Sequence, residues 1–546
     1  MFGIKSVYFY LIAVQITFIK FLKKIYFSSD RYNKFLESKT PQQAHYNPNP
    51  FLLSIITAYK KKSFKISEVD PNLFWIEDKK KIAEKLHNFL WLNLIDRKTD
   101  SKNIKKIIYI WMLKNSKYKT KIWETSTLST RIISWILNID IILDNATFDF
   151  KKKFLNSIIS QTNHLKKNTK FEKDYIKKIK ISMALILSGL MFKEYEDNYK
   201  LGIKELEDHV KNFFDNDGFP LTRNPNDLFF STKYLIFCRE IIKDAQIYIP
   251  EFLENIIEKN LACLNFARCP NDQLPLFNGA SENFLNELDE YLCTQNKKSN
   301  VKNIIGGLFK FKQKNHLIFI DVGHPPKKSF SKCYQSGPLS FEYFLDGIKV
   351  ISNSGFGDNI SSKAELLSRL TACQSTLTLN ETSVSTFERN RLVNKVFGNS
   401  IKNSFKTYNL KIINEKNLIG CTAEHDGYEK KFGCTHKREI CIDKENNYLK
   451  GSEHIEKKKD GIPIRYVFRF HINPELTVVK TMGGNSALIQ LSKNKSLVFT
   501  TSDEPLEIEK SIFLSGKKIL DNTCITISGN LVNKNKSFNW EIKKNI

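Results

Sequence analysis

The apolar residues change period once along the chain, and that change restricts the fold more than any other feature. From about residue 50 to 297 they fall at helical spacing. Leu128, Ile132, Trp135, Ile136 and Ile139 form one stripe, and Ile82, Leu86, Phe89 and Leu90 form another. ISMALILSGLMF (181–192) is apolar on every side, so a helix there must be covered all round. After the polar stretch TQNKKSNVKN (294–303) the period becomes two. NHLIFIDVG, STLTLN, REICID, YLKGSEHI and RYVFRFHI alternate, and SFEYFLDGIKVISNSG (340–355) reads as strand, Asp346-Gly347 turn and strand. A length of 546 residues exceeds one ordinary core, and 41% apolar content suffices to fill two. The pattern predicts an α+β multidomain chain: an apolar helix and lead-in over 1–49, a helical domain over 50–300 and an antiparallel β-sandwich over 301–546. Helices in sequential pairs suit a toroid or a curved hairpin array more than a simple bundle.

The formal charge is +27, mostly lysine, with KKK at 60–62, 79–81, 151–153 and 457–459. Such a surface concentrates polyanions without choosing among them. A compositional bias accounts equally well for the lysine excess, and no nucleic-acid reading module is present, so nucleic acid is not an expected partner. The ten cysteines lack C-x-x-C pairs and metal-ligand spacing. The N-terminal run from Ser6 to Ile19 is uncharged, like the apolar region of a signal peptide, but Lys20 interrupts it and no A-x-A-like cleavage site follows. Residues 4–27 are therefore also expected to make peripheral membrane contact or to dock on the core.

Chemistry-bearing residues fall in three places. Asn163-His164 lies on a helix whose inner stripe is Phe154, Ile158, Thr162 and Leu165, and His164 projects off that stripe. It reads either as a surface histidine or as a proton acceptor beside a carboxamide that binds a carboxylate. In NDGFPLTRNPNDLFFSTKY (216–234), Arg223 and Asn224 precede a helix that starts near Asn226-Asp227, as an anion site or as ordinary loop residues. Tyr234 follows on the same helix face as Asp227. The β region supplies Asn278 in a turn and Gln374, His436, Arg438 and His471 at strand positions, with no metal spacing. Asp215 and Asp217 in one turn are a weak hydrolase pair.

The ordered succession Trp123, Arg131, Trp135 (W-x7-R-x3-W), DGFPLTRNP, LFNGA, DVGHPP, LSFEYFLDG, VISNSG, RLTACQSTLTL, HKREI and RFHINP resembles the heparinase II/III-like family of polysaccharide lyases over about residues 70 to 515. The resemblance implies an N-terminal incomplete (α/α) toroid followed by a C-terminal antiparallel β-sandwich. It implies an acidic polysaccharide as partner, cleaved by β-elimination at a uronic acid, and a place in the cell envelope or periplasm; a cytoplasmic location stays open. On that reading His164 transfers the proton with Tyr234 as partner. Asn163, Arg131, Arg223, Asn224 and Asn278 surround the substrate, Arg131 having an interhelix ion pair as its alternative role.

Several family positions differ in this chain. The catalytic Tyr-His falls near Asp227 and Leu228, and the H-x-H-x-D element falls on Cys333, Gln335 and Gly337. The other zinc ligands fall on Asn353 and Gln374. Carboxamides are poor zinc ligands, so no metal or other cofactor is expected, and the three amides are expected to bond one another. CYQSGPLSFEYFLDG (333–347) is expected to run as a strand on the rim of the groove. A glycan-binding or envelope-assembly protein that keeps the fold without the chemistry is the alternative function.

Overall fold

The computed structural model describes residues 4–37, 39–41, 43–57, 70–71, 73–75, 85–95, 101–282, 285–293, 302–458, 463–502, 504–532 and 535–545. Ile82 and linker residues 294–301 lie outside them. The chain divides into two compact units, Met1–Phe214 with Phe230–Lys259, and Asp215–Phe229 with Asn260–Ile546. The fold class is the one the sequence implies, an incomplete (α/α) toroid and an antiparallel β-sandwich.

The first unit is helical: α1 (Ile4–Phe27), α2 (Asp30–Leu36), α3 (Ser101–Asn115), α4 (Thr125–Leu137), α5 (Ile139–Leu143), α6 (Phe148–Asn168), α7 (Tyr175–Met191) and α8 (Glu196–Phe213). Helix α9 (Pro225–Asp244) crosses from the second unit into the first, and α10 (Glu251–Ala267) crosses back. The stripe read on α4 is buried, and Glu124 caps its start by accepting from the Ser126 and Thr127 amides. Trp111 and Trp135 meet edge to face at 5.2 Å, and Phe89 packs on Trp135 at 5.1 Å. The stretch expected to be covered all round is α7, packed between α4, α6 and α8. The stripe over 82–90 differs: its described end is a 3-10 turn, Leu90–Leu94, entered through Phe89 at φ 59°. The lead-in is part of this unit. His45 donates its amide to the Met191 carbonyl at 2.9 Å, and the Tyr46 hydroxyl donates to Asp244 at 2.5 Å.

The second unit holds two antiparallel sheets. The strands are β1 (Ile304–Ile305), β2 (Leu308–Gln313), β3 (His316–Asp321), β4 (Phe341–Leu345), β5 (Ile348–Ser352), β6 (Leu377–Leu379), β7 (Thr407–Asn414), β8 (Leu418–Tyr428), β9 (Cys434–Asp443), β10 (Tyr448–Lys457), β11 (Ile464–Ile472), β12 (Thr477–Lys480), β13 (Ser486–Ser492), β14 (Lys495–Thr501), β15 (Leu506–Phe513), β16 (Leu520–Leu531) and β17 (Asn535–Lys544). One sheet has the order β1-β2-β3-β4-β5-β11-β16-β15, with β6 also paired to β11; the other runs β12-β13-β14-β17-β10-β9-β8-β7. β4 and β5 join through Asp346 and Gly347, both left-handed at φ 51° and 84°, as the hairpin reading requires. Between the sheets Trp540 stacks on Phe341 and Phe499, and Phe470 meets it edge-on. Gly451 lies opposite Trp540 on the neighbouring strand, where any Cβ would overlap the indole. Cys333 to Ser340 is not strand; β4 begins only at Phe341.

Candidate functional site

Arg223 anchors a buried polar knot in the second unit. Pro225 opens α9, and the Asn224 side chain accepts from the Asn226 amide at 2.9 Å, so the turn before the helix is capped by its own asparagine. That turn places Arg223 in the left-handed region (φ 60°) and sends its guanidinium inward. Nη2 donates to Asp321 at the end of β3 (2.5 Å), Nε to the Gly306 carbonyl (2.9 Å) and Nη1 to the His324 carbonyl (2.9 Å). Asn278, itself left-handed, donates to the other Asp321 oxygen at 3.3 Å. Gly307 and Gly323 leave room for the guanidinium, since a Cβ on either would collide with it. Burial works against the Arg223 charge, but Asp321 outweighs it and the pKa lies above the ordinary arginine value. Arg223 and Asn278, expected around a substrate carboxylate, are thus brought together around a carboxylate of the protein itself. Asp215 is also committed: it accepts from the Asp217 and Phe219 amides, while Asp217 pairs with Lys302.

His164 is covered rather than projecting, and Asn163 beside it is half-buried. His164 is 5% exposed and is walled by the rings of Phe27, Tyr118 and Trp123 at 5.2, 5.3 and 5.4 Å. Helix α2 completes the cover, with the Tyr32 hydroxyl 2.7 Å from His164 Nδ1 and the Asn163 amide donating to the Leu36 carbonyl at 3.0 Å. Asn168 donates toward His164 Nε2 at 3.3 Å, which leaves the proton of the neutral ring on Nδ1, pointing at Tyr32. Burial, reinforced by the nearby Arg131 charge, lowers the His164 pKa to about 3. Arg131 is fully buried. Its Nε donates to Gln161 (2.6 Å), its Nη1 to the His87 and Ile122 carbonyls, and its guanidinium lies 4.4 Å from the Trp111 ring. Its bonds therefore go to an amide and two carbonyls in place of an acidic partner, and burial lowers its pKa to about 9. Tyr234 is half-buried on α9, with the Lys180 ammonium 5.4 Å from its ring centre.

The three amides bond backbone groups rather than one another. Gln335 accepts from the Gly279 amide (3.0 Å) and donates to the Gly355 and Ser368 carbonyls (2.9 and 2.8 Å). Gln374 donates to the same Ser368 carbonyl at 2.9 Å. Asn353 donates to the Leu276 carbonyl and accepts from the Ser375 amide. Among the described residues no group of three or more His, Cys, Asp or Glu side chains is placed to hold a metal ion. The amides tie the 276–279, 335, 355 and 368–375 segments together, and this donor set does not fit zinc.

Residues 305–541 match the family described as heparinase II/III-like, C-terminal. The C-terminal domain belongs to the heparinase II/III-like family. Three solved structures share the fold over most of the chain. A mutant heparan sulfate lyase from Pedobacter heparinus is 14% identical, with TM-score 0.65, covering 94% of this chain and 87% of that one. One heparinase III is 15% identical with TM-score 0.68, at 93% and 87% coverage. Another heparinase III is 14% identical with TM-score 0.67, at 86% and 79% coverage. No curated protein sequence matches the chain at a significant level.

The heparinase II/III-like domain also holds a buried relay of which the sequence reading caught only two members. His436 and Arg438 on β9 are two residues apart, so both point between the sheets. Glu453, directly opposite Arg438 on β10, accepts from Arg438 Nε at 2.7 Å, from Trp540 at 3.0 Å and from His436 at 2.8 Å. The Gly427 amide donates to His425 Nδ1, so His425 Nε2 carries the proton and donates to His436 Nδ1 at 3.2 Å. Burial raises the Glu453 pKa, but Arg438 and His436 outweigh it and hold the carboxyl below its ordinary value. Arg438 then reaches the Leu339 and Ser375 carbonyls, fixing the loops that carry Gly337 and Gln374. Glu453 was findable: a lone acidic residue at an inward position of an alternating strand needs a basic partner.

Proposed function

We propose that this chain is an acidic-polysaccharide-binding protein on a polysaccharide lyase scaffold, and that it works without zinc and without β-elimination by the residues its sequence first suggests. The observation that carries this reading is accessibility. His164, Arg131, Arg223, Asn224 and Asn278 are each no more than 8% exposed. An imidazole with both nitrogens occupied and a pKa near 3 has little basicity toward a sugar C–H at neutral pH. The Arg223 guanidinium is already bonded to Asp321 and has no stronger partner to gain in a uronate, while Arg131 is kept from one by full burial. Polymer binding falls instead to the exposed lysines behind the +27 charge, and an acidic polysaccharide as ligand is supported by that charge and by the fold shared with a heparan sulfate lyase. The zinc-type positions hold amides that already staple the backbone, so a cell-envelope binding or assembly role needs no metal.

The test pairs affinity with polymer length. Uronic-acid polymers are expected to bind with an affinity that falls steeply with salt, and neutral polymers to bind weakly or not at all. The bound polymer is expected to keep its chain length on prolonged incubation. Shortening of any uronic-acid polymer, or equal affinity for neutral ones, would sink the reading.

One observation favours a lyase as the second reading. Tyr32, His164 and Asn163 together supply the phenol, imidazole and amide that β-elimination uses, though Tyr32 is carried by α2, which covers the other two. If α2 moves aside to admit substrate, turnover will appear and will be lost in both Tyr32→Phe and His164→Ala.

A further inference from the structure

The apolar side of α1 faces outward. At 100° per residue Leu11, Val14, Phe18, Phe21, Leu22 and Ile25 fall in one continuous arc, and each is exposed, from 42% for Val14 to 61% for Leu11. Tyr8, Tyr10 and Tyr26, also exposed, stand at the two edges of that arc, which spans about 160° and includes one uncharged polar residue, Gln15. Lys20, Lys23 and Lys24 all fall in the opposite half. That opposite half is the one that packs: Ala13 is fully buried, Lys23 lies 2.7 Å from the centre of the Phe171 ring, and Phe27 touches His164. The helix is therefore seated on the first unit through Ala13, Lys23 and Phe27, and about 27 Å of apolar surface, from Tyr8 to Tyr26, is left facing out.

We propose that α1 is an in-plane membrane helix that docks the protein on an anionic lipid surface. Three features choose lipid over a second copy of the chain. A coiled-coil seam is a narrow stripe flanked by charges, whereas this arc takes nearly half the circumference and is free of charge throughout. Tyrosines at both edges suit the headgroup level, where a phenol keeps its hydroxyl wet and its ring in the acyl boundary. A basic cluster surrounds the end of the helix: Lys20, Lys24, Lys166, Lys167 and Lys170 are exposed, and Lys167 lies over the exposed Phe35 ring at 3.3 Å. The helix lies in the surface because none among the described residues is long and apolar enough to cross a membrane.

The test is flotation of the full chain with vesicles of phosphatidylcholine alone and of phosphatidylcholine with phosphatidylglycerol. Wild type is expected to float with the anionic vesicles and to be released as salt rises. The triple variant Leu11→Glu, Phe18→Glu, Leu22→Glu alters only exposed positions at the centre of the arc and is expected to bind about tenfold more weakly or worse. Lys20→Glu with Lys24→Glu is expected to weaken binding several-fold and flatten its salt dependence. Thermal unfolding of each variant checks that the fold is retained. Failure of wild type to float with anionic vesicles overturns the proposal, whether the protein is then monomeric or paired through α1. So does a folded triple variant that floats as wild type does.

Discussion

Replacing Arg223 by alanine removes one end of a buried ion pair and leaves Asp321, 1% exposed, with only the Asn278 amide and a backbone N–H for its charge. Arg223→Ala is expected to destabilise the protein by about 3–5 kcal/mol in urea denaturation. Arg223→Lys is expected to recover little of that, because one ammonium cannot span Asp321 and two carbonyls set in a fork. A loss under about 1 kcal/mol for Arg223→Ala would mean that the knot is not structural. The sequence shows Arg223 before a proline-started helix, but its partner is 98 residues away, and no local pattern reports that distance. The same holds for His164. Its place off the apolar stripe of α6 suggests a wet surface, but Tyr32, 132 residues upstream, supplies the cover. His209, 3% exposed with neither ring nitrogen bonded, was singled out by no motif at all. His209→Phe is expected to be neutral or stabilising, since it removes an unsatisfied buried group of similar shape.

Strands were easier to read than their lead-ins, because alternation is a property of neighbours. β4, the Asp346-Gly347 turn, β5, β9, β10 and β11 form where the strand-like stretches place them, although β4 is buried on both faces, whereas Cys333 to Ser340 is without alternation and forms a stapled loop. That loop is held by long-range bonds from Arg369, Thr371 and Arg438 to its carbonyls, which a local pattern does not encode. The pairing of β10 with β17 carries its own test. Gly451 faces Trp540 across the two strands, so Gly451→Ala must push the indole off Phe341 and away from Glu453. It is expected to cost about 1–3 kcal/mol, more than alanine normally costs in a strand, and to shift the Trp540 fluorescence. Combining it with Trp540→Phe should restore part of the loss; a simple sum of the two single effects would contradict the packing account.

Titration joins both units of the molecule. His164 and His209 in the first and His471 in the second have pKa values lowered to about 3, 3 and 4 from 6.5, in each case chiefly by burial. Between those values and 6.5 the unfolded chain binds more protons than the folded one, so stability rises with pH and is lost as pH falls below 6.5. Each such histidine contributes a slope of about 1.4 kcal/mol per pH unit, and the Glu453 carboxyl adds a loss of the same sign at lower pH. Urea midpoints are therefore expected to drop between pH 7 and pH 5; a rise would contradict the burial of these rings. The overall design, toroid followed by sandwich, was legible from one change of period and an ordered set of motifs. The division into units was not, because Asp215–Phe229 joins the second unit through the Arg223 knot although it lies within the helical half of the sequence. We propose that the polar positions of this lyase scaffold hold structure and perform no elimination. The ultraviolet absorbance of unsaturated uronate, followed over a panel of uronic-acid polymers at saturating protein, tests this most directly. A flat trace from folded protein that demonstrably binds the polymer is the predicted result; a rising trace that His164→Ala abolishes would contradict it.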